Sequence, residues 1–111
     1  MKPTKEQIQW FWERCGWEVR VDEVRDASGN TCYPRSSWFN GVENTLPDID
    51  LNNLFKYAVL KLDKWNMHKP FKTARVITAN VWIDDKYAFA ESDVPALALF
   101  WAIYKALGGR E

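Results

Sequence analysis

The sequence predicts an α+β fold in which a four-stranded antiparallel sheet carries helices on both faces, in the order α-β-β-α-β-β-α. Two observations support this fold class. Apolar residues recur at helical spacing in three segments. Between these segments lie two stretches of alternating or β-branched residues, each broken by a short turn sequence. A length of 111 residues is typical of one domain, so residues 1–111 are expected to form a single three-layer α-β-α sandwich.

The first predicted helix has a start signal, an apolar face and a stop signal. Thr4 and Gln7 have the spacing of a capping box, in which each side chain satisfies a backbone amide. Gly16 can adopt the positive φ that ends a helix. Trp10 lies off the apolar stripe. The residues that share the predicted buried face are Ile8, Phe11, Trp12 and Cys15.

The first predicted hairpin follows in residues 17–35. The segment "WEVRV" alternates apolar and charged residues, as a half-buried strand does. Asp26 and Gly29 in "DASGN" are turn residues, since Asp can bond to nearby amides and Gly accepts positive φ. The returning segment "TCYPR" is expected to be short or at a sheet edge, because Pro34 cannot donate a hydrogen bond to a neighbouring strand.

Two aspartates precede the second predicted helix, which is expected to span residues 50–65. Asp48 and Asp50 lie where a helix start favours hydrogen-bond acceptors and negative charge, and Asp50 is the natural cap. A metal-binding or catalytic role would need a further His, Glu or Asp, and no neighbour in the sequence supplies one. The pair is therefore predicted to start a helix.

Residues 73–83, "TARVITANVWI", are predicted to form a central strand of the sheet. Both faces of this strand carry apolar side chains, so it should be covered on two sides. Asp84 and Asp85 fit a hairpin turn better than a functional pair of carboxylates. The segment "YAFAE" then returns as the neighbouring strand.

The last predicted helix opens at Ser92 or Asp93 and has Pro95 in its first turn, where a missing amide hydrogen costs nothing. Two glycines at 108 and 109 end it. From Val94 to Leu107 the only charged residue is Lys105, whereas an amphipathic surface helix would show a polar face. The helix is therefore either buried within the domain or docked against another copy of the chain.

Two segments of the chain resemble a known family. They are "LPDIDLNNLF" and "AFAESDVPALALFWAIYKALG", and a short helix ending in "GW" precedes them. Together they are similar to the small phage ABA sandwich domain proteins of phages and prophages. The likeness covers nearly the whole chain in order and spacing, with its specific motifs at residues 46–54 and 91–107. The resemblance implies an α-β-α sandwich and a phage or prophage origin, and it carries over no catalytic residue.

Basic residues are concentrated in one part of a chain that has no net charge. Residues 56–75 hold six bases and one acid, although fifteen Lys and Arg balance fifteen Asp and Glu in the whole sequence. This stretch could contact phosphates and stack a base, or it could simply be a solvated surface. The candidate anion or nucleic-acid face comprises Tyr57, Lys61, Lys64, Lys69, Lys72 and Arg75.

Aromatic residues are more numerous than a core of this size requires. The chain contains seven Trp, six Phe and four Tyr. Large rings that are not needed in the core either reach an interface or fold down as a lid over a Trp-rich core. The candidate protein interface comprises Trp10, Trp38, Phe39, Phe100 and Tyr104.

No catalytic or metal site is predicted, and no cofactor is expected. The only histidine, His68, lies in a loop without a nucleophile motif nearby. Cys15 and Cys32 lack the spacing of zinc ligands, and no glycine-rich phosphate loop is present.

The sequence favours the cytoplasm of a host cell and no membrane partner. Its first residues are polar at intervals, unlike a signal peptide, and no apolar run approaches the roughly 20 residues of a membrane span. The leading hypothesis is a small non-enzymatic phage or prophage accessory protein that acts by protein–protein binding or self-association as a homo-oligomer. The alternative is a nucleic-acid or nucleotide-binding module that uses the basic face of residues 56–75.

Overall fold

A computed structural model of the chain describes residues 2–19, 24–26, 28–29, 31–32 and 46–110. The chain divides into two compact units. The first unit is Pro3–Asp48, and the second unit is Ile49–Glu111 together with Met1–Lys2. The described residues of each unit include at least one helix and a small sheet, so each unit is described separately.

The first unit begins with helix α1, Lys5–Arg14. Its start confirms the predicted capping box. The Thr4 amide donates to Gln7 Oε1 over 2.8 Å, and the Gln7 amide donates to Thr4 Oγ1 over 3.2 Å. Two of the amides that lack helical partners are thereby satisfied by the reciprocal pair.

Helix α1 ends at the predicted glycine. Gly16 has φ +105°, and its amide donates to the Glu13 carbonyl over 3.1 Å. The Trp17 amide donates to the Trp12 carbonyl over 3.0 Å, and the two indoles lie 6.3 Å apart. This is the Schellman pattern with its hydrophobic contact. The Trp12 indole also donates to the Pro47 carbonyl over 2.9 Å, which ties the end of this unit to the helix.

In the described residues of the first unit, three two-residue strands form a sheet. They are β1 (Glu18–Val19), β2 (Val24–Arg25) and β3 (Thr31–Cys32), joined as an antiparallel meander in that order. The predicted turn is confirmed, because the Gly29 amide donates to the Asp26 carbonyl and Gly29 has φ +88°. Pro34, with the end of the returning segment, lies outside the described residues.

The second unit begins with a short and irregular helical segment. Helix α2, Leu51–Asn53, continues into a π-helical turn, Leu54–Ala58, and a 3₁₀ turn, Val59–Lys61. Asp50 is confirmed as the cap, since its Oδ1 accepts from the Asn53 amide over 2.8 Å. Asp48 is exposed and precedes the helix. The predicted helix to residue 65 is wrong, because the backbone becomes extended at Leu62.

Strand pairing explains the early end of this helical segment. The short apolar pattern around residues 62–65 is compatible with either a helix or a strand. In the structure it becomes a strand, because β4 (Lys64–His68) pairs along its whole length with β5 (Ile77–Ile83). The Asp63 amide donates to the Trp82 carbonyl over 2.8 Å, just ahead of the first pair. The carboxylate of Asp63 accepts from the Asp84 amide over 2.9 Å, which joins the start of β4 to the turn after β5.

The sheet of the second unit contains three antiparallel strands in the order β4-β5-β6, where β6 is Lys86–Ser92. The predicted four-stranded sheet with helices on both faces is therefore wrong. The fold is α+β, but its described strands form two separate three-stranded sheets. Strand β5 is central, as predicted. Asp84 and Asp85 form the predicted hairpin turn, with φ values of +48° and +67°.

Helix α3, Pro95–Ala106, packs against β5 and β6. Pro95 occupies the first turn as predicted, and the Ser92 hydroxyl accepts from the Val94 amide over 3.1 Å just before it. The helix ends at Gly108, which has φ +100°. Most of its side chains are buried, including those of Phe100 and Tyr104. Burial within this chain therefore accounts for the apolar sequence of the helix.

Candidate functional site

The sheet of the second unit has one face against α3 and one face toward solvent. Ala79, Val81 and Ala90 lie on the face toward α3, and all three are buried. Because side chains alternate along a strand, the residues between them point the other way. We call this side the outer face. Its three cross-strand rows are Lys64–Trp82–Tyr87, Asn66–Asn80–Phe89 and His68–Thr78–Glu91.

Three aromatic rings form a continuous strip on the outer face. The Trp82 and Tyr87 ring centroids are 5.1 Å apart, and Tyr87 stacks on Phe89 at 6.3 Å with an interplanar angle of 24°. Tyr87 is 52% exposed and Phe89 is 51% exposed. We call Trp82, Tyr87 and Phe89 the aromatic strip. It offers ring surface to a ligand without any rearrangement of the core.

A chain of hydrogen bonds crosses the same face from strand to strand. The Tyr87 hydroxyl donates to Asn80 Oδ1. The Asn80 side-chain amide in turn donates to Asn66 Oδ1 over 3.0 Å. These two bonds hold the Tyr87 ring and both amide groups in one orientation. The polar centre of the outer face is therefore ordered before a ligand arrives.

Positive charge lies beside the aromatic strip. The Lys64 ammonium is 5.0 Å from the centroid of the Trp82 ring, a cation–π distance that keeps it on the outer face. Exposed Lys69, Lys72 and Arg75 lie in the loop that joins β4 to β5. Glu91 is the one carboxylate among the nine outer-face residues. Basic residues outnumber acidic ones in the second unit, whereas acidic residues predominate in the first.

The structure divides the predicted basic face among four elements. Tyr57 lies in the π-helical turn with the Lys56 ammonium 5.2 Å from its ring centroid, and Lys61 lies in the 3₁₀ turn. Lys64 is on the outer face, while the other bases occupy the β4–β5 loop. Lys64 therefore does not continue the predicted second helix, because β4 replaces the last part of that helix. Trp65 points away from Lys64, onto the opposite side of β4.

The predicted protein interface is also divided. Phe100 and Tyr104 belong to the core of this chain, so neither presents a free surface. Trp10 is half-buried, with the Arg14 guanidinium 5.0 Å from its ring centroid. Trp38 and Phe39 lie outside the described residues. Among these five residues, only Trp10 is both described and partly open to solvent.

Sequence reasoning did not identify Asn66, Asn80, Tyr87 or Phe89. A signal for two of them was present in "KYAFAES", where aromatic residues alternate with alanines. In an ordinary half-buried strand the larger apolar side chains point to the core. Here the alanines face α3, and the rings face solvent. The alanines of β6 come just before the apolar sequence of α3. Small side chains of this kind indicate a strand face that packs closely against a helix, which leaves the rings on the other face.

The remaining predicted positions are placed as follows. His68 is exposed at the end of β4, and Cys15 is buried, while the Cys32 side chain lies outside the described residues. Within the described part of the chain, no three His, Cys, Asp or Glu side chains are grouped to hold a metal ion. None of the described helices is both long enough and apolar enough to cross a bilayer.

Comparison with known protein families, curated proteins and solved structures found no match to this chain. The family resemblance drawn from the sequence motifs thus stays a prediction. The geometry of the outer face is consequently the basis for a functional proposal.

Proposed function

We propose that the protein is a small non-enzymatic binding protein that holds single-stranded nucleic acid on the outer face of its second-unit sheet. The observation that carries the proposal is the aromatic strip, two of whose rings are half-exposed, flanked by a lysine and by ordered amides. Flat rings with free faces stack on nucleobases, and each such contact contributes about 1–3 kcal/mol. A duplex does not offer its base faces, so the strip favours single strands.

The bases at the two ends of the outer face suit a phosphate backbone. Lys64 adjoins Trp82, and three further bases follow in the β4–β5 loop. The loop lies beyond the His68–Thr78 pair, at the opposite end of the sheet from Lys64, so a strand laid across the outer face would run its phosphates from one cationic end to the other. If four phosphates are contacted, the log–log slope of affinity against salt is expected to be about −3. The zero net charge of the whole chain does not oppose this, because the basic excess lies in the second unit.

Lys64→Glu is expected to weaken the binding of a fluorescently labelled single-stranded octanucleotide by about tenfold at low salt. The substitution removes one phosphate contact and places a negative charge beside Trp82. Fluorescence anisotropy at several salt concentrations measures the affinity and its salt dependence. Lys56→Glu is the matched control. It changes the net charge by the same amount, but Lys56 lies in the π-helical turn and not on the outer face of the sheet.

Two results would contradict the proposal. One is the absence of salt-sensitive binding by the parent protein even at about 20 mM salt. The other is an equal loss of affinity in the Lys56 and Lys64 variants, since that would indicate a general charge effect and no defined site. A duplex of the same sequence that binds as tightly as the single strand would contradict the stacking part of the proposal.

A second candidate function is association with a protein, of which self-association is the simplest case. It is favoured by Phe55 and Trp65, which are both partly exposed and pack edge-to-face at 4.9 Å. Leu60, in the adjoining 3₁₀ turn, is 79% exposed. Exposed aromatic and aliphatic side chains of this kind are typical anchors of protein interfaces. A phage or prophage accessory role belongs to this second candidate.

Self-association through these residues predicts a mass that rises with concentration and returns to that of a monomer in Leu60→Lys. A lysine at such an exposed position should leave the fold intact while adding charge to the interface. Size-exclusion chromatography with light scattering at two concentrations measures the mass. Val94→Lys, an exposed apolar position near α3, is the control. A parent protein that is monomeric at high concentration would exclude self-association.

A further inference from the structure

The hydrogen-bond chain on the outer face has a direction. The Tyr87 hydroxyl donates to Asn80 Oδ1, and Asn80 Nδ2 donates to Asn66 Oδ1. Each carbonyl oxygen of the two amides therefore already accepts a bond from within the sheet. The chain starts at a hydroxyl on β6 and ends at an amide on β4.

The end of this chain presents hydrogen-bond donors. Asn66 is exposed, and its Nδ2 group, which carries two N–H donors, bonds to no acceptor within the described part of the chain. Lys64, two residues earlier on the same side of β4, also offers donors only. The polar part of the outer face beside the aromatic strip thus presents unused N–H donors, while each of its amide oxygens already accepts one bond from within the sheet.

A stacked base can reach these donors. Phe89, Asn80 and Asn66 form one cross-strand row, and neighbouring strands lie about 4.8 Å apart. A base that stacks on Phe89 can therefore direct its edge along the row toward Asn80 and Asn66. The chemistry of that edge decides whether the Asn66 N–H groups find an acceptor.

Building on the proposed nucleic-acid function, we propose that Asn66 determines base preference, selecting bases with carbonyl acceptors over bases with amino donors. The relevant group is at position 4 of a pyrimidine or position 6 of a purine. Uracil, thymine and guanine have a carbonyl oxygen there, whereas cytosine and adenine have an amino group. An amino group facing Asn66 Nδ2 would set donor against donor, so no hydrogen bond could form between them. The discrimination arises from this mismatch as well as from the bond gained.

Uracil and cytosine make the sharpest test, because their rings are equal in size and stack alike. They differ at position 4, where uracil has an oxygen acceptor and cytosine an amino donor. The parent protein is expected to bind labelled octauridine about tenfold more tightly than labelled octacytidine, as one good base-edge contact provides. Fluorescence anisotropy at one fixed salt concentration measures both affinities.

Asn66→Asp is expected to reduce this uridine-to-cytidine ratio to about one or below. Aspartate has the same shape and still accepts from Asn80, but it replaces the two donors with acceptors. The added negative charge lowers the affinity for both octamers equally. The ratio of the two affinities within one variant therefore reports the base preference alone. Asn52→Asp, the same change at an exposed position on α2, is the matched control and should keep the parent ratio.

The outcomes separate this inference from the function on which it rests. If neither octamer binds, the proposed function fails and the base preference fails with it. If both bind with equal affinity, or cytidine binds more tightly, the nucleic-acid function stands and the inference is overturned. If the parent prefers uridine but Asn66→Asp keeps the full preference, the assignment to Asn66 is overturned.

Discussion

Phe100→Ala is expected to lower the free energy of unfolding by about 3–5 kcal/mol, the usual loss when a fully buried phenyl ring is removed. Phe100 has no exposed surface, and it packs edge-to-face with Trp101 at 4.9 Å and beside Tyr104 at 5.7 Å. Removal of the ring leaves a cavity in the core beside α3, a helix that is buried on most sides. Urea or guanidinium denaturation, followed by circular dichroism, measures the change.

Phe71→Ala is the control for this prediction. Phe71 is 63% exposed in the β4–β5 loop, so its removal is expected to change stability by no more than about 0.5 kcal/mol. Since a domain of this size has roughly 5–15 kcal/mol of stability, the two variants should be easily distinguished. Similar effects at both positions would contradict the burial of Phe100. Such a result would instead favour the predicted interface role of Phe100 and Tyr104 on α3.

The double substitution Tyr87→Ala with Phe89→Ala is expected to weaken single-strand binding by about thirtyfold or more. Each ring supplies a stacking surface worth about 1–3 kcal/mol per base, and this variant removes two of the three rings of the aromatic strip. Both side chains are half-exposed, so the fold should survive their removal. Fluorescence anisotropy measures the loss, and circular dichroism checks the fold.

Two further variants isolate the cause of that loss. Phe55→Ala with Leu60→Ala removes comparable exposed apolar surface away from the outer face, and it should leave binding unchanged. Tyr87→Phe keeps the ring but removes the hydroxyl that donates to Asn80, so it tests the hydrogen-bond chain separately from stacking. If the double alanine variant binds as tightly as the parent, the aromatic strip is not the nucleic-acid site.

The proposed nucleic-acid site is a surface that sequence reasoning identified only in part. The basic residues of the predicted site were apparent as a cluster, and Lys64 does lie on the outer face. The aromatic strip was not apparent, because exposure of Tyr87 and Phe89 depends on which side of β6 meets α3. An alternating pattern places residues on two faces but does not say which face a helix covers.

The sequence by itself determined the local starts, stops and turns of the chain. The capping box at Thr4, the cap at Asp50 and the turn at Asp84–Asp85 all follow from it. The proline in the first turn of α3 does as well. Each of these features depends on hydrogen bonds or backbone preferences within about four residues, so the neighbouring sequence contains all the information required.

Only the tertiary structure decided that residues 64–68 form a strand, and that the described strands make two sheets of three rather than one of four. It also decided that the rings of β6 face solvent while Phe100 is buried. Strand pairing and burial join residues far apart in the chain, and several pairings satisfy the same apolar pattern. The preference among them comes from the summed packing of β5, β6 and α3, which no single segment contains.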